Sequence, residues 1–164
     1  IPRVGDMVIA QVVDIQSNGW VLEIGAPHDA FMPLSGVREY IDTTKTALSS
    51  VYAMDDVLYA KVNSAQGDSI HLSMQDPRAR KLRGGRIVKI NPAKVPRLIG
   101  KAGSMVSMIK NKTDCKINIG QNGLVWFEGG KEELVLKAIE MVEEKAYTDG
   151  LTDKISKLLE GGKK

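Results

Sequence analysis

Arg97-Leu98-Ile99-Gly100-Lys101-Ala102-Gly103-Ser104-Met105-Val106-Ser107-Met108-Ile109-Lys110 is the stretch that decides how this chain folds. Two glycines bracket a Lys-Ala pair. Aliphatic residues precede them and a helical pattern follows, with Met105, Met108 and Ile109 on one face and Val106 widening it. Without a Cβ at positions 100 and 103 the backbone is free to take positive φ and to approach another chain closely. The turn also opens onto the N-terminus of the next helix, whose N–H groups and dipole attract phosphate. Gly-x-x-Gly recurs by chance, so the weight of this one comes from its surroundings.

The charge around it is uneven. The net value of +3 hides three unlike segments. Residues 1–76 carry 4 Lys+Arg against 10 Asp+Glu, a net of −6. Residues 77–119 carry 12 against Asp114 alone, a net of +11, and residues 120–164 carry 7 against 9, a net of −2. The basic segment is centred on the glycine turn, and a concentrated positive field is the footprint of a polyanion site. A solvated linker face accounts for Arg78, Arg80, Lys81 and Arg83. It does not account for the near absence of acids over the whole segment, so nucleic acid is the expected partner.

At 164 residues, 43% of them hydrophobic, the chain has room for one folded domain or two small ones. Its apolar runs are short and interrupted, so no membrane association is expected. It opens on Ile1, which reads as a fragment or a processed chain. Cys115 is alone, with no disulfide mate and no metal-ligand companions. It is expected as a small buried hydrophobe in a strand, and a reducing, cytoplasmic setting fits. No cofactor and no metal are expected. No nucleophile–base signature or paired-carboxylate motif appears. His28 falls in a loop and His71 on the polar face of a strand, so an enzyme is not expected and no catalytic residue is assigned.

Residues 4–74 read as short strands. Met7 to Ile15 is aliphatic, Ser17-Asn18-Gly19 is a hairpin turn, and Trp20, Leu22 and Ile24 alternate with Val21 and Glu23. Ala30-Phe31-Met32 follows, then a long loop over 36–53 with a helical turn. Val57 to Asn63 and Ser69 to Met74 flank a turn at Gln66-Gly67. Five strands of this length suit a small closed barrel of OB type. Pro77, Gly84 and Gly85 punctuate the boundary. Beyond it the order is strand (86–90), helix (95–99), helix (104–112), strand (115–119), strand (124–127) and helix (131–146). In the last of these Val135, Ala138, Ile139, Val142 and Ala146 form the apolar stripe, and a short terminal amphipathic helix follows. The expected layout is α+β: a five-stranded barrel over 1–76, a basic linker over 77–84, a βααββα unit over 85–147, and a C-terminal helix and tail over 148–164.

That element order, with Gly-x-x-Gly between its first two helices, resembles the type I KH domain. Leu98-Ile99 before the turn, Val106 and Ile109 after it, Thr113 to Ile119, and Val125-Trp126-Phe127-Glu128-Gly129 all fall where that family has them. The resemblance implies that the turn clamps backbone phosphates while an adjacent apolar groove holds about four unpaired nucleotides. It places Gly100, Lys101, Ala102, Gly103 and Ser104 against phosphates. Ile99, Val106 and Ile117 line the groove or serve as core, and Arg97, Lys110 and Lys116 supply charge around it. Residues 1–76 resemble the S-one RNA-binding domain through Val4-Gly5-Asp6 to Ile15, Asn18 to Leu22 and Ile70 to Met74. The chain departs from that pattern where the family has aromatics and this sequence has Asn18 and Val21, and where the family has a histidine and this sequence has Pro33. Most of the stacking platform, worth about 1–3 kcal/mol per base, is therefore missing. Trp20 and Phe31 either substitute in part or belong to the core.

A barrel of this kind followed by one KH domain resembles the non-catalytic RNA-binding cap subunit family of the archaeal RNA exosome, without that family's N-terminal domain. The resemblance implies single-stranded RNA as ligand and RNase PH-like ring subunits as partners, with several copies in a larger complex. Chemistry then belongs to the ring. Arg38 and Lys61 are candidates beside the RNA path. The main alternative is a transcription-elongation factor of the Nus type. That pattern calls for two KH domains, and the residues after Ala146 are too few for a second. Polynucleotide phosphorylase has the two modules in reverse order. A ribosome-associated adaptor is a further possibility.

Overall fold

Period-two alternation in the first half of the chain winds a barrel around side chains from every strand. The computed structural model describes residues 2–145 and 150–161. Two units emerge, one made of Ile1–Arg83 with the turn Gly120–Leu124, the other of Gly84–Ile119 with Val125–Lys164. The strands of the first are β1 (Met7–Gln16), β2 (Gly19–Glu23), β3 (Ala30–Pro33), β4 (Val57–Gln66), β5 (Ser69–Ser73) and β6 (Arg80–Leu82). They run in the order β1-β2-β3-β5-β4-β6, and an additional β1–β4 pairing closes the five-stranded barrel. All pairs are antiparallel except β3–β5, where Phe31 stands beside His71. Val8, Ala10, Val12, Trp20, Leu22, Ala30, Met32, Leu58, Ala60, Val62 and Leu72 point inward and are all but fully buried. Register shifts at Val12/Asp14 and Val62/Ser64 bend the two long strands, the device by which a sheet curls into closure. The loop over 36–53 contains a single helical turn, α1 (Leu48–Val51).

The stretch read as a linker contributes structure. Arg80–Leu82 pairs with Val57–Tyr59 of β4, and Leu82 is buried. Lys81 Nζ lies 3.0 Å from Asp56 Oδ2. The way into this strand is fixed by Arg38, whose Nε donates to Met74 O (2.9 Å) and whose Nη2 donates to Asp76 O (2.6 Å) and Ala79 O (2.7 Å). Asn122 completes the first unit. Its Nδ2 donates to Ile9 O (2.9 Å) and Ile24 O (2.8 Å), and its Oδ1 accepts from Ile9 N at 3.3 Å.

The second unit has the order strand, helix, helix, strand, strand, helix, helix. Its elements are β7 (Arg86–Lys89), α2 (Val95–Ile99), α3 (Ser104–Thr113), β8 (Cys115–Ile119), β9 (Leu124–Gly129), α4 (Glu132–Lys145) and α5 (Leu151–Gly161). The sheet order is β7-β9-β8. Val95, Leu98, Met105, Ile109, Ile117, Phe127, Val135, Ala138, Ile139 and Val142 share one core with Leu151, Ile155 and Leu159 of α5. Ala146, expected in the α4 stripe, lies outside the described residues. Cys115 is buried and unpaired, and its burial pushes the thiol pKa up, so it is an inert packing residue.

Asp76 supplies a pH test of the barrel exit. Arg78 holds its carboxylate with two side-chain hydrogen bonds (both 3.0 Å) and one from its backbone N–H (2.8 Å). These lower the Asp76 pKa from 3.8 to about 2. The folded value lies below the unfolded one, so the pair's stabilisation is complete above the ordinary carboxylate range and is lost as pH falls toward 2. In a carboxyl NMR titration, Asp76 should titrate near 2 in the parent and move up toward 3.8 in Arg78→Ala. Equal midpoints in the two proteins would contradict this arrangement.

Candidate nucleic-acid interface

The glycine turn is built from three consecutive constraints. Val95 and Leu98 bury one side of α2, and its last turn closes with Gly100 N donating to Pro96 O at 2.9 Å. Gly100 then takes φ 78°, ψ 172°, a region open essentially only to glycine. A Cβ there would stand 2.6 Å from Met105 N and 2.7 Å from Met105 Cβ. Ala102 follows at φ 53°, ψ 31° and Gly103 at φ 77°, ψ 12°, with Gly103 N donating to Gly100 O at 3.1 Å. For alanine the left-handed region costs about 1–2 kcal/mol, and such outliers concentrate at binding sites. Gly103 differs from Gly100 in one respect: nothing lies within 4 Å of where its Cβ would be.

These angles turn the loop outward. Arg97, Lys101, Ala102 and Ser104 are exposed, while Ile99, Gly100 and Gly103 are half-buried. No side chain caps α3, so its first amides face the turn with only backbone partners. A cleft of about 420 Å³ opens here. Pro96, Arg97, Gly100, Lys101, Ser104 and Met105 line one side, and Gly150 with Leu151 to Asp153 of α5 line the other. The structure thus brings Arg97, Gly100, Lys101 and Ser104 together around one space. Val106 is half-buried, and Lys110, exposed, stands one turn further along the same face of α3. Ile117 is buried in the core on β8. Lys116 is exposed on β8 opposite Glu128, and because adjacent strand residues point to opposite faces it leaves the sheet on the side away from Ile117.

Residues 85–144 match the KH domain model, and residues 1–64 match the model described as RRP4, S1 domain. An exosome complex component Rrp4 from Methanothermus fervidus is 38% identical over 162 residues, which is 97% of this chain and 72% of that protein. The chain belongs to the Rrp4 family. The Rrp4 of Thermococcus kodakarensis is 42% identical over 97% of this chain and 65% of its own length. A crystal structure described as an exosome complex RNA-binding protein superposes with a TM-score of 0.86 at 31% identity, covering 98% of this chain and 95% of that one.

In this Rrp4-family chain the barrel candidates fall differently from the glycine turn. Trp20 is 0% exposed, its Nε1 donates to Tyr52 O at 2.9 Å, and Tyr52 packs edge-on at 5.4 Å. A ring enclosed in this way has no face for a base, so Trp20 is core. The Nε and Nη2 of Arg38 are engaged with barrel carbonyls, which makes it a strut of the barrel exit. Lys61 is half-buried on β4, opposite Met7 and Ser73. Phe31 points outward between the inward Ala30 and Met32, and its ring meets His71 edge-on at 5.8 Å. Sequence reasoning missed the α5 wall of the cleft, because nothing local in Gly150–Asp153 signals what lies across from it. Among the described residues no group of three or more His, Cys, Asp or Glu is placed to hold a metal ion. Likewise no helix among them is long and apolar enough to cross a membrane.

The two glycines should fail unequally. Gly103→Ala, strained but uncrowded, should cost about 1–2 kcal/mol in denaturant unfolding. Gly100→Ala adds a backbone collision and should cost about 3 kcal/mol or more. Equal losses would show that the approach of Gly100 to Met105 is not the constraint.

Proposed function

We propose that this chain is a non-catalytic RNA-holding component of an exosome, gripping single-stranded RNA at the glycine turn. From there it presents the strand to RNase PH-like ring subunits for 3′-to-5′ degradation or processing. The observation that carries this is the turn itself, whose positive-φ backbone at Gly100, Ala102 and Gly103 holds Lys101 and Ser104 outward at the uncapped start of α3. In this reading the backbone from Gly100 to Ser104 contacts phosphates, and Arg97, Lys101 and Lys110 add charge. Ile99 and Val106 offer apolar surface to bases while Ile117 supports them from the core. The S1-type barrel, with its net charge of −6 over residues 1–76, serves as the protein-contacting module and leaves the grip to the KH unit. Family membership supports RNA as ligand, a cytoplasmic setting and several copies within a complex. The Nus-type alternative is disfavoured by the same membership. The unit boundaries proposed are a barrel to about residue 76 and a KH unit from residue 85.

Binding of a short unstructured RNA, measured across salt concentrations, tests the grip. Each phosphate contact contributes a log–log slope of about 0.7 for single strands. Lys101→Asp/Ala102→Asp, with an unchanged fold, should weaken binding at least about tenfold and reduce the slope by about one contact or more. Unchanged affinity and slope would overturn the reading and move the RNA path away from the turn.

A further inference from the structure

α5 does more than extend the core. Leu151, Ile155 and Leu159, spaced i, i+4, i+8, are buried in the core that α2, α3 and α4 share. Gly150–Asp153 shares the cleft with Ser104 and Met105 at the start of α3. At the far end, Glu160 Oε1 lies 3.3 Å from Lys112 Nζ in the last turn of α3. The two helices therefore run side by side in the same direction, and the first turn of α5 is held across the cleft from Lys101. The walls differ in sign. Arg97 and Lys101 stand on one, and Thr152 and Asp153, both exposed, stand on the other.

A phosphate is drawn to the cationic wall and repelled by the carboxylate. A polynucleotide crossing the cleft thus keeps its backbone on the Arg97/Lys101 side and turns its base toward α5. At about 420 Å³ the space is small for a ligand site and suits one nucleotide. An ionised carboxylate only accepts hydrogen bonds, so the base that meets it must donate. Cytosine offers its N4 amino group at the outer edge, whereas uracil places a carbonyl oxygen at that ring position and its N3–H lies between two carbonyl oxygens that the carboxylate repels. We propose that Asp153 is the specificity-determining residue of a one-nucleotide pocket between the glycine turn and α5, favouring bases that carry an exocyclic amino group over uracil. This rests on the glycine turn gripping RNA phosphates, as proposed above.

Eight-nucleotide oligo(C) and oligo(U) probe it by fluorescence anisotropy at neutral pH. The proteins compared are the full chain, Asp153→Asn, Asp153→Ala and Lys101→Asp/Ala102→Asp. The parent should bind oligo(C) about fivefold or more tightly than oligo(U). Both Asp153 variants should bring that ratio close to one, by removing the acceptor for the cytosine amino group and the repulsion of the uracil carbonyl. Lys101→Asp/Ala102→Asp should weaken both oligomers alike. A carboxylate that merely answers the α5 dipole would shift thermal stability without moving the ratio. A parent ratio near one overturns the pocket, as does an unchanged ratio in both Asp153 variants. In either case the phosphate grip stands if Lys101→Asp/Ala102→Asp still loses both oligomers. If that variant retains both, the grip and the pocket fall together.

Discussion

The backbone at Gly100 runs so close to the amide of Met105 that no side chain fits between them, and the KH unit is arranged around that approach. It lets α2 hand over to α3 across four residues, so that Leu98 on one helix and Met105 and Ile109 on the other enter the same core. It also sends the chain through left-handed conformations at Ala102 and Gly103, which turn the loop outward. Strain and exposure come from one geometric cause. A wider loop would relieve Ala102, but it would lift Met105 from the core and lose the uncapped amides at the head of α3.

Electrostatics then selects among the cations that the sequence offers. Of the basic residues in the 77–119 segment, Arg78, Lys81, Arg86 and Lys112 are engaged with Asp76, Asp56, Glu133 and Glu160. Asp76 is buried and its pair with Arg78 is the exception, while the more exposed pairs contribute little stability each; all four offset part of the apparent field. The positive charge that still faces solvent includes Lys101 and Lys110, on the face where the backbone is also prepared for an anion. The acidic barrel has no such concentration. In the proposed function this difference assigns the grip to the KH unit and leaves the barrel as a contact module.

Local signals in the sequence carried most of the fold. The Asn18-Gly19 turn, the alternation through Trp20 and Leu22, and the helical stripe after Gly103 each fix an element by periodicity alone. What escaped depended on partners distant in sequence. Arg80–Leu82 has no strand pattern of its own and is a strand because the edge of β4 is there to pair with it. Asn122 sits in a turn that reads as generic, yet its side chain serves the backbone of Ile9 and Ile24. The site divides the same way. The Gly100–Ser104 turn was legible because its chemistry is local. Lys116 was chosen for its charge, and strand parity, which sets the face it occupies, is read only once β8 is paired; Trp20 was weighed for stacking although its register turns it inward. The wall formed by Thr152 and Asp153 exists only once α5 has packed against α3.

Amide chemical shifts followed during titration with a short single-stranded RNA test the central claim most directly, because they report every backbone position at once. The largest changes should fall on Gly100 to Met105, with a second set at Thr152 and Asp153 and little change along β2, β3 and β5 of the barrel. Shifts concentrated instead around Phe31 and His71, with the glycine turn unmoved, would contradict it and place the RNA on the barrel.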